Sequence, residues 1–349
     1  MAAGVHERLP DAQTVELPLA DGGDGTLDVL LGGTGGKRHT ANASDPLGRK
    51  TEVDFAMLPG GEALVEMARS SGLSLLAPGE RNPWLAGTFG LGQVIMAALE
   101  HSIRALAVTL GGSATVDCGV GMARALGWKF YDADGKLLDE EGGQILSKIS
   151  LIDPSGADTR LGALNVRALC DVNNPLLGHE GAAHVFGPQK GADARMVERL
   201  ESGMANLALR LKEDLGTDVA AMPGAGAAGG LGAAVAAFLG GRLISGIDYV
   251  LDTLKFDNLI RDARLVITGE GSFDSQSMGG KAISGVLTRA RAAGVPVAVV
   301  CGIHRATGNP DLAVFSRDNL PTGFPSDGKV DLNGLAWLAG TAAGVSLGR

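Results

Sequence analysis

The segment with the most chemically capable side chains runs from Leu265 to Lys281 and reads LVITGEGSFDSQSMGGK. An apolar run (LVIT) breaks into glycines, and the carboxyl groups of Glu270 and Asp274 lie close by, before Lys281. Residues that follow a buried parallel strand lie at the carboxyl edge of the sheet, where open α/β sheets bind ligands. Carboxylates can hold a cation or accept a proton, and a lysine can neutralise phosphate oxygens. These parts fit phosphoryl transfer, which depends on positioning and charge neutralisation.

A second acidic segment is the glycine turn at residues 21–26 (DGGDGT), which carries Asp21 and Asp24 three positions apart. A helix pattern starts at Asp24, so the two carboxylates fit a metal site or a substrate-hydroxyl site at a helix N-terminus. Asp and Gly are equally ordinary in helix caps and turns. Both interpretations stay open from the sequence.

A third segment, residues 111–117 (GGSATVD), follows the apolar run ALAVTL and precedes a helix pattern that starts near Gly121. Consecutive backbone N–H groups beside two hydroxyls can form a cradle for an anion. The alternative is an ordinary strand-to-helix loop with a Ser or Thr cap. The candidate contacts with a phosphate are Gly111, Gly112, Ser113 and Thr115.

Two further loops carry single charged candidates. Residues 170–175 (CDVNNP) end an apolar strand pattern, and Asp171 with the neighbouring amides offers oxygen ligands that suit Mg²⁺. A polar turn before a proline explains this loop nearly as well. Lys190 lies in the loop FGPQKG, where it is a candidate for phosphate binding, although a solvated lysine is the interpretation that the sequence favours.

The chain also contains a formal G-x-G-x-x-G at Gly224, Gly226 and Gly229, with Asp248 near the distance that a dinucleotide site requires. The preceding residues form a weak strand pattern that Pro223 interrupts. We therefore interpret the motif as a close-packed helix start or a nucleotide-phosphate loop. An NAD-linked oxidoreductase remains an alternative.

Helical patterns alternate with continuous apolar strands through most of the chain, which predicts an α/β fold with parallel pairing. The stretch from Lys37 to Met57 alternates in polarity around Pro46-Leu47-Gly48 and predicts an antiparallel hairpin. Thr14 to Leu19 (TVELPL) reads as a short strand. The 54 glycines follow apolar runs without a fixed period, so they indicate tight strand-to-helix turns.

The overall composition excludes several classes of protein. A formal charge of −9 gives nucleic acid no electrostatic reason to bind. The three cysteines are widely spaced and form no C-x-x-C pair, which favours a reducing compartment over a disulfide framework or a zinc site. No signal-peptide pattern and no convincing membrane span occur. We expect a cytoplasmic protein that does not bind membranes.

Taken in order, the segments resemble the bacterial type-I glycerate kinase family. The resemblance covers most of the chain and rests on several long and uncommon sequence segments. They are LPLADGGDGT (17–26), DPLG (45–48), VEMARSSGL (65–73), GTFGLG (87–92), GGSATVDCGVGMARALG (111–127), CDVNNPLLG (170–178), GAAHVFGPQKGA (181–192), GAGAAGGLG (224–232) and VITGEGSFDSQSMGGK (266–281).

The resemblance implies an ATP- and Mg²⁺-dependent kinase that phosphorylates D-glycerate, most often on the 2-hydroxyl to give 2-phosphoglycerate. It also implies a Rossmann-like parallel-sheet domain, formed by residues 1–36 and 226–349, and a second, smaller mixed α/β domain at 37–225. The active site would lie in the cleft between them. The protein would be a monomer or a homodimer, which the sequence does not settle.

On the hypothesis of glycerate kinase chemistry, we assign roles to the candidate residues. Asp21 or Asp274 would accept the substrate proton, and Lys281 or Lys190 would offset the charge on the transferred group. The implied site residues are Asp21, Asp274 and Lys281 for catalysis, Gly111, Gly112, Ser113, Thr115, Gly224, Gly226, Gly229 and Lys190 for the nucleotide, and Asp171 and Glu270 for the metal.

The sequence departs from the family pattern in a few places. Family members begin with a strand and an Asp-Ser-Phe-Lys-Gly-Ser-like loop, and this sequence is expected to lack both. Asp24 stands where the family usually has Glu, Val116 where Asn is usual, and Phe273 where an arginine is common. These differences support a second hypothesis, a catalytically impaired kinase relative that binds a ligand without turnover.

Overall fold

The computed structural model describes residues 1–273, 282–305, 312–320 and 332–346. The chain forms two compact units: the terminal unit, Met1–Leu19 with Ile247–Arg349, and the central unit, Ala20–Gly246. The chain passes between them near residues 19 and 246, whereas the sequence placed the boundaries near 36 and 225. The reason is that residues 20–36 pack on strands of the central unit. The predicted α/β class is confirmed.

The elements follow one another in the alternation that the sequence predicts. The strands are β1 (Lys37–Ser44), β2 (Lys50–Leu58), β3 (Glu62–Glu66), β4 (Ala105–Thr109), β5 (Lys129–Tyr131), β6 (Leu151–Asp153), β7 (Asn165–Leu169), β8 (Arg242–Ile244), β9 (Val266–Phe273), β10 (Val297–His304) and β11 (Ala313–Phe315). The helices are α1 (Ala2–Arg8), α2 (Thr26–Thr34), α3 (Ala68–Ser71), α4 (Phe89–Leu99), α5 (Val120–Ala125), α6 (Ala182–Phe186), α7 (Ala194–Leu215), α8 (Ala227–Leu239), α9 (Gly246–Thr253), α10 (Phe256–Leu259), α11 (Ala282–Ala292) and α12 (Leu332–Ser346). Among the described helices, none is both long and apolar enough to cross a membrane.

The central unit contains a six-stranded sheet in the order β1-β2-β3-β4-β7-β8. The predicted hairpin is confirmed, since β1 and β2 pair antiparallel from Lys37↔Met57 to Ser44↔Lys50. Its turn is held by the Asp45 carboxylate, which accepts hydrogen bonds from the Leu47 and Arg49 N–H groups at 2.9 Å each. Local turn chemistry of this kind explains why the hairpin could be predicted from a short stretch of sequence.

Strands β3, β4, β7 and β8 run parallel, so their carboxyl ends meet along one edge of the sheet. The runs ALAVT in β4 and NVRAL in β7 place apolar residues on both faces, as expected for strands covered by helices on both sides. The residues that follow these four strands include Met67, Gly111, Cys170 and Ser245. Each candidate loop of the central unit therefore starts from this edge or lies next to it.

Helix α8 starts with three residues in the left-handed backbone region, Ala228, Gly229 and Gly230, before its regular turns begin. Gly229 has a φ of +69°, and a Cβ at this position would lie 2.0 Å from the Thr115 carbonyl oxygen. The Gly229 carbonyl in turn accepts a hydrogen bond from the Cys118 N–H at 3.1 Å. This contact needs glycine, because the two backbones touch directly.

The terminal unit contains a parallel sheet in the order β11-β10-β9, with α1 packed against α12. The prediction that the β9 strand breaks at Gly269 is wrong, because β9 continues to Phe273 and stays paired with β10. Gly269 permits this, since a Cβ there would lie 2.3 Å from the Val300 carbonyl oxygen.

The predicted strand at Thr14 to Leu19 is also wrong, because these residues form no strand in the structure. Pro18 has no N–H to donate to a neighbouring strand. Leu17 and Leu19 instead pack against an apolar cluster of the terminal unit that includes Ile247 and Leu251.

We expect Gly229→Ala to lower the free energy of unfolding by roughly 3 kcal/mol or more, because backbone strain and a steric contact with Thr115 act together. Gly216→Ala is the matched control, since Gly216 has a similar φ of +70° and a Cβ there meets no atom within 4 Å. The control should lose only about 1 kcal/mol. Urea unfolding of the two variants measures the difference, and equal losses would contradict the contact with Thr115.

Candidate active site

The loop at residues 20–26 lies across the carboxyl ends of β4, β7 and β8. A Cβ at Gly111 would lie 2.5 Å from the Gly23 α-carbon, and one at Gly246 would lie 2.1 Å from the Asp21 carbonyl oxygen. The Gly22 α-carbon faces Leu169 at the end of β7. These close approaches bring the acidic loop directly beside the glycine loop that follows β4.

The carboxylates of Asp21 and Asp24 are exposed and do not cap α2. The residue before α2 is Gly25, and no side chain caps the helix from that position. The first helical N–H, that of Thr26, is bonded instead to Glu66 Oε1 at 3.1 Å. The N-cap part of the alternative is therefore wrong, whereas the turn part holds for Asp21, whose Oδ1 accepts a hydrogen bond from the Gly23 N–H at 3.3 Å.

Asp24 lies closer to the glycine loop than sequence reasoning recognised. A Cβ at Gly112 would lie 2.1 Å from Asp24 Oδ1, and Gly112 itself has a φ of +72°. The Asp24 carboxylate and the glycine loop after β4 are therefore in direct contact and form one surface. The sequence offered no reliable signal for this contact, because the strand predicted before the acidic segment, at Thr14 to Leu19, does not form.

Glu66, at the end of β3, was missed by sequence reasoning because it lies within an apolar strand. Its side chain is 1% exposed, and Oε2 accepts a hydrogen bond from Arg69 Nε at 2.5 Å. Arg69 also contacts Asp28 at 2.6 Å, and Arg38 joins Asp28 to Asp54. Hydrogen bonds from Arg38 lower the pKa of Asp28 and Asp54, so these two carboxylates stay ionised at neutral pH.

A cleft of about 510 Å³ opens beside this network. Its lining combines the start of α2, part of the β1–β2 hairpin with its polar residues Thr40, Glu52 and Asp54, and the segment after β3. The lining residues are Asp24, Gly25, Thr40, Glu52, Val53, Asp54, Glu66, Ala68, Arg69, Ser74 and Leu75. The cleft is large enough for a small polar molecule, and Arg69 supplies positive charge to a lining that is otherwise acidic.

The glycine loop after β4 is anchored at both ends while its middle is left open. The Gly112 carbonyl accepts from the Leu73 N–H at 2.8 Å, and the Ala114 N–H donates to the Ser71 carbonyl at 2.9 Å. Within the described residues, the N–H groups of Gly111, Gly112 and Ser113 donate no hydrogen bond. Three consecutive donors of this kind fit the predicted anion cradle.

Lys190 lies beneath this loop and is not solvated, so the interpretation that the sequence favoured is wrong. The side chain is 2% exposed, and Nζ donates to Ser113 Oγ at 2.5 Å and to the Thr115 carbonyl at 2.8 Å. Burial lowers the pKa of Lys190 to about 7, although the negative charge of Asp117 opposes that shift. The burial of Lys190 could not be predicted from the local sequence, because the residues that cover its ammonium group lie about 75 positions earlier in the chain.

Asp117 supports the same loop from its other end and was also missed. It is 1% exposed and accepts four hydrogen bonds, from the N–H and hydroxyl of Thr88 and from the N–H groups of Gly119 and Gly121. Burial raises the pKa of Asp117 in spite of these bonds. The carboxyl therefore fixes the entry into α5, and its contacts are those of a structural group.

Asp171 lies at the carboxyl end of β7, where its Oδ1 accepts a hydrogen bond from the Gly246 N–H at 2.9 Å. Because Gly246 also touches the Asp21 backbone, the structure brings the Asp171 and Asp21 segments together at one edge. No cluster of three acids, histidines or cysteines that could hold a metal occurs in the described part of the chain. A single carboxylate still fits Mg²⁺, which is commonly bound by one or two carboxylates and substrate phosphates.

The glycines of the G-x-G-x-x-G motif are buried against protein backbone. A Cβ at Gly226 would lie 2.2 Å from the Pro175 carbonyl oxygen, and the motif follows a turn after α7, not a strand. Asp248, the acid that a dinucleotide site needs, lies in the first turn of α9. The structure therefore lacks the context of a dinucleotide site, and nucleotide contacts by Gly224, Gly226 and Gly229 stay a prediction.

In the terminal unit, Glu270 lies within β9 opposite Cys301 of β10. Its Oε1 is buried and has no hydrogen-bond partner among the described residues. Phe273, which stands where the family commonly has an arginine, is 2% exposed and packs in an apolar cluster with Ile283 and Leu287. The predicted catalytic residues Asp274 and Lys281 lie outside the described residues.

Comparisons with known proteins agree on one family. A sequence model of the glycerate kinase family matches residues 1–314. Glycerate 2-kinase of Escherichia coli (strain K12) is 43% identical over 300 residues, which cover 86% of this chain and 78% of that protein. Glycerate kinase of Bacillus cereus (strain ATCC 10987 / NRS 248) is 40% identical over 342 residues, which cover 96% and 90%.

A solved structure gives the same result in three dimensions. The crystal structure of a protein named glycerate kinase 2 from Salmonella typhimurium LT2 matches with a TM-score of 0.84 and 38% sequence identity. The match covers 99% of this chain and 91% of that one.

We expect the free energy of unfolding of the wild-type protein, relative to Lys190→Met, to rise from about pH 7 to about pH 10.5. In this window the unfolded chain keeps the Lys190 proton and the folded chain releases it, so folding is favoured as the pH increases. Urea unfolding at several pH values measures this difference. Lys212→Met is the control, because Lys212 is exposed and its replacement should reveal no such rise. If the free energy of unfolding of the wild type and of Lys190→Met changed with pH in parallel, the result would contradict the burial of the Lys190 charge.

Proposed function

This chain belongs to the glycerate kinase family, and we propose that it transfers the γ-phosphoryl group of ATP to the 2-hydroxyl of D-glycerate in the cytoplasm. The observation that carries the proposal is the meeting of an open glycine loop, Gly111–Ser113, with the carboxylates of Asp21, Asp24 and Asp171 at one sheet edge. The three cysteines are free thiols, which fits a reducing compartment.

We infer that the nucleotide phosphates bind at the glycine loop. The N–H groups of Gly111, Gly112 and Ser113 are unused within the described residues, and the Ser113 hydroxyl adds a fourth donor. Backbone donors hold phosphate oxygens without requiring a large excess of positive side chains. That property matters in a protein with a net charge of −9.

Mg²⁺ would be held by Asp171 in the central unit, and the metal-binding roles of Glu270 and Asp274 stay predictions. The ion supplies neutralisation of the phosphate charge as it develops. The Asp171 carboxylate is oriented by the Gly246 N–H, and Glu270 keeps a buried oxygen without a partner in the described part of the chain. Both observations support an oxygen-ligand role and leave the roles of the individual atoms to experiment.

The substrate would enter the cleft beside Arg69, whose guanidinium pairs with Glu66 and Asp28 and would offset part of the negative charge of a small hydroxy acid. Asp21, with Asp274 as the second candidate, would accept the proton of the reacting hydroxyl, as general bases do in kinases. Lys281 would offset the charge on the transferred group. Asp24 lies between the cleft and the glycine loop and would orient the same hydroxyl.

The test is an ADP-release assay with D-glycerate, ATP and Mg²⁺, followed by NMR of the product to tell 2- from 3-phosphoglycerate. We expect turnover that depends on both D-glycerate and Mg²⁺. Binding of D-glycerate or ATP without ADP release would support the ligand-binding hypothesis instead. Release of ADP without a phosphorylated product would contradict the transfer step.

We expect Asp171→Asn to raise the Mg²⁺ concentration needed for half-maximal turnover by roughly 10-fold or more, since a metal ligand loses its charge. The amide oxygen of Asn can still accept from the Gly246 N–H, so the fold should be retained. Asp218→Asn is the matched control, because Asp218 is exposed and pairs only with Lys212 and the Ala220 N–H in the described residues. An unchanged Mg²⁺ requirement in Asp171→Asn would remove Asp171 from the metal site.

A further inference from the structure

We propose that Lys190 is a positioning residue that fixes the Ser113 hydroxyl as a hydrogen-bond donor to an anionic oxygen of a substrate. The inference rests on the proposed function, because the oxygen would belong to a phosphate of ATP or to the carboxylate of D-glycerate. Lys190 itself would touch neither substrate.

The geometry places Lys190 behind the loop and not in front of it. Lys190 ends the short 3₁₀ helix Pro188–Lys190, and its ammonium group reaches two atoms of the loop, Ser113 Oγ and the Thr115 carbonyl oxygen. At 2% exposure the side chain cannot reach solvent without moving the loop. Ser113 is 8% exposed and follows the exposed Gly112, so it lies between the lysine and the open side.

The direction of the hydrogen bond follows from the chemistry of the two groups. An ammonium group has three donors and no acceptor, so Ser113 Oγ must accept from Lys190. The hydroxyl proton of Ser113 is then left to point elsewhere, and an anionic oxygen at the adjacent N–H groups is a suitable acceptor. A serine without this partner could equally accept or donate, and its hydroxyl would be free to rotate.

The charge on Lys190 is sensitive to pH near neutrality. The groups that face it are the Asp117 carboxyl and the buried Cys118 thiol, which precede α5, and Glu201 of α7 acts electrostatically on Cys118. Burial lowers the pKa of Lys190 to about 7. A neutral amine can accept a hydrogen bond, so the Ser113 hydroxyl can turn toward Lys190 and no longer be held as a donor to the substrate.

A purely structural lysine predicts a different result. If Lys190 only filled space, its replacement would change stability, and any effect on substrate affinity would add to the effect of removing the Ser113 hydroxyl. If Lys190 acts through Ser113, replacing either residue removes the same hydrogen bond to the substrate. The double variant then loses no more substrate affinity than either single variant. A double-mutant cycle separates these cases.

The experiment compares Lys190→Met, Ser113→Ala and the double variant in the ADP-release assay, with KM determined separately for ATP and for D-glycerate. We expect each single variant to raise one KM by roughly tenfold, and the double variant to raise it no further. A raised KM for ATP identifies a phosphate oxygen, and a raised KM for D-glycerate identifies the carboxylate. Lys212→Met is the control, with both KM values unchanged. Additive effects, or a change in kcat alone, would overturn the inference.

The wild-type pH profile gives a second readout that does not depend on the Lys190 variant. We expect the affected KM to rise as the pH increases from 6 to 8 in the wild type and to stay level in Ser113→Ala. If the wild type binds substrates without turnover, titration calorimetry with Mg·ADP and with D-glycerate measures the same cycle. Binding without turnover would contradict the proposed function, but the calorimetric cycle would still measure the coupling between Lys190 and Ser113. A level pH profile in the wild type, or no coupling in either assay, would contradict the inference.

Discussion

The arrangement of the central unit depends on direct contact between backbones at the carboxyl edge of its parallel strands. Gly22 at the end of β7, Gly111 after β4 and Gly246 after β8 each lie so close to a neighbouring segment that a Cβ would come within 3.0 Å of it. The glycines of these loops are therefore a condition for bringing acids from separate segments together. A larger residue at any of these positions would separate the carboxylates from the anion cradle.

Below this edge the structure keeps two charged groups away from water. Lys190 holds the glycine loop from beneath, and Asp117 holds the start of α5 through four hydrogen bonds. Burying charge is costly unless hydrogen bonds compensate, and both pKa shifts show that the cost is only partly offset. Burying these groups lowers the local stability, but it fixes the hydrogen-bond donors of the glycine loop after β4 before a ligand binds.

How much could be predicted from the sequence depended on the range of the interactions involved. The β1–β2 hairpin was predicted well, because a turn around Asp45 fixes it locally. The sequence segments that resemble the family pointed to the loops of the candidate site. The burial of Lys190 and the role of Glu66 were missed, because each depends on partners at least 40 positions away in the chain. The roles of Asp274 and Lys281 stay predictions.

The packing of α1 against α12 has a consequence for how the protein is made. Gly4 and Gly340 allow these two helices to touch, although they lie at opposite ends of the described chain. On the ribosome, α1 emerges long before α12 and must wait for that helix before the two can pack. The central unit is continuous in sequence and can fold during synthesis, so α1 stays exposed to chaperones and proteases after the central unit has formed.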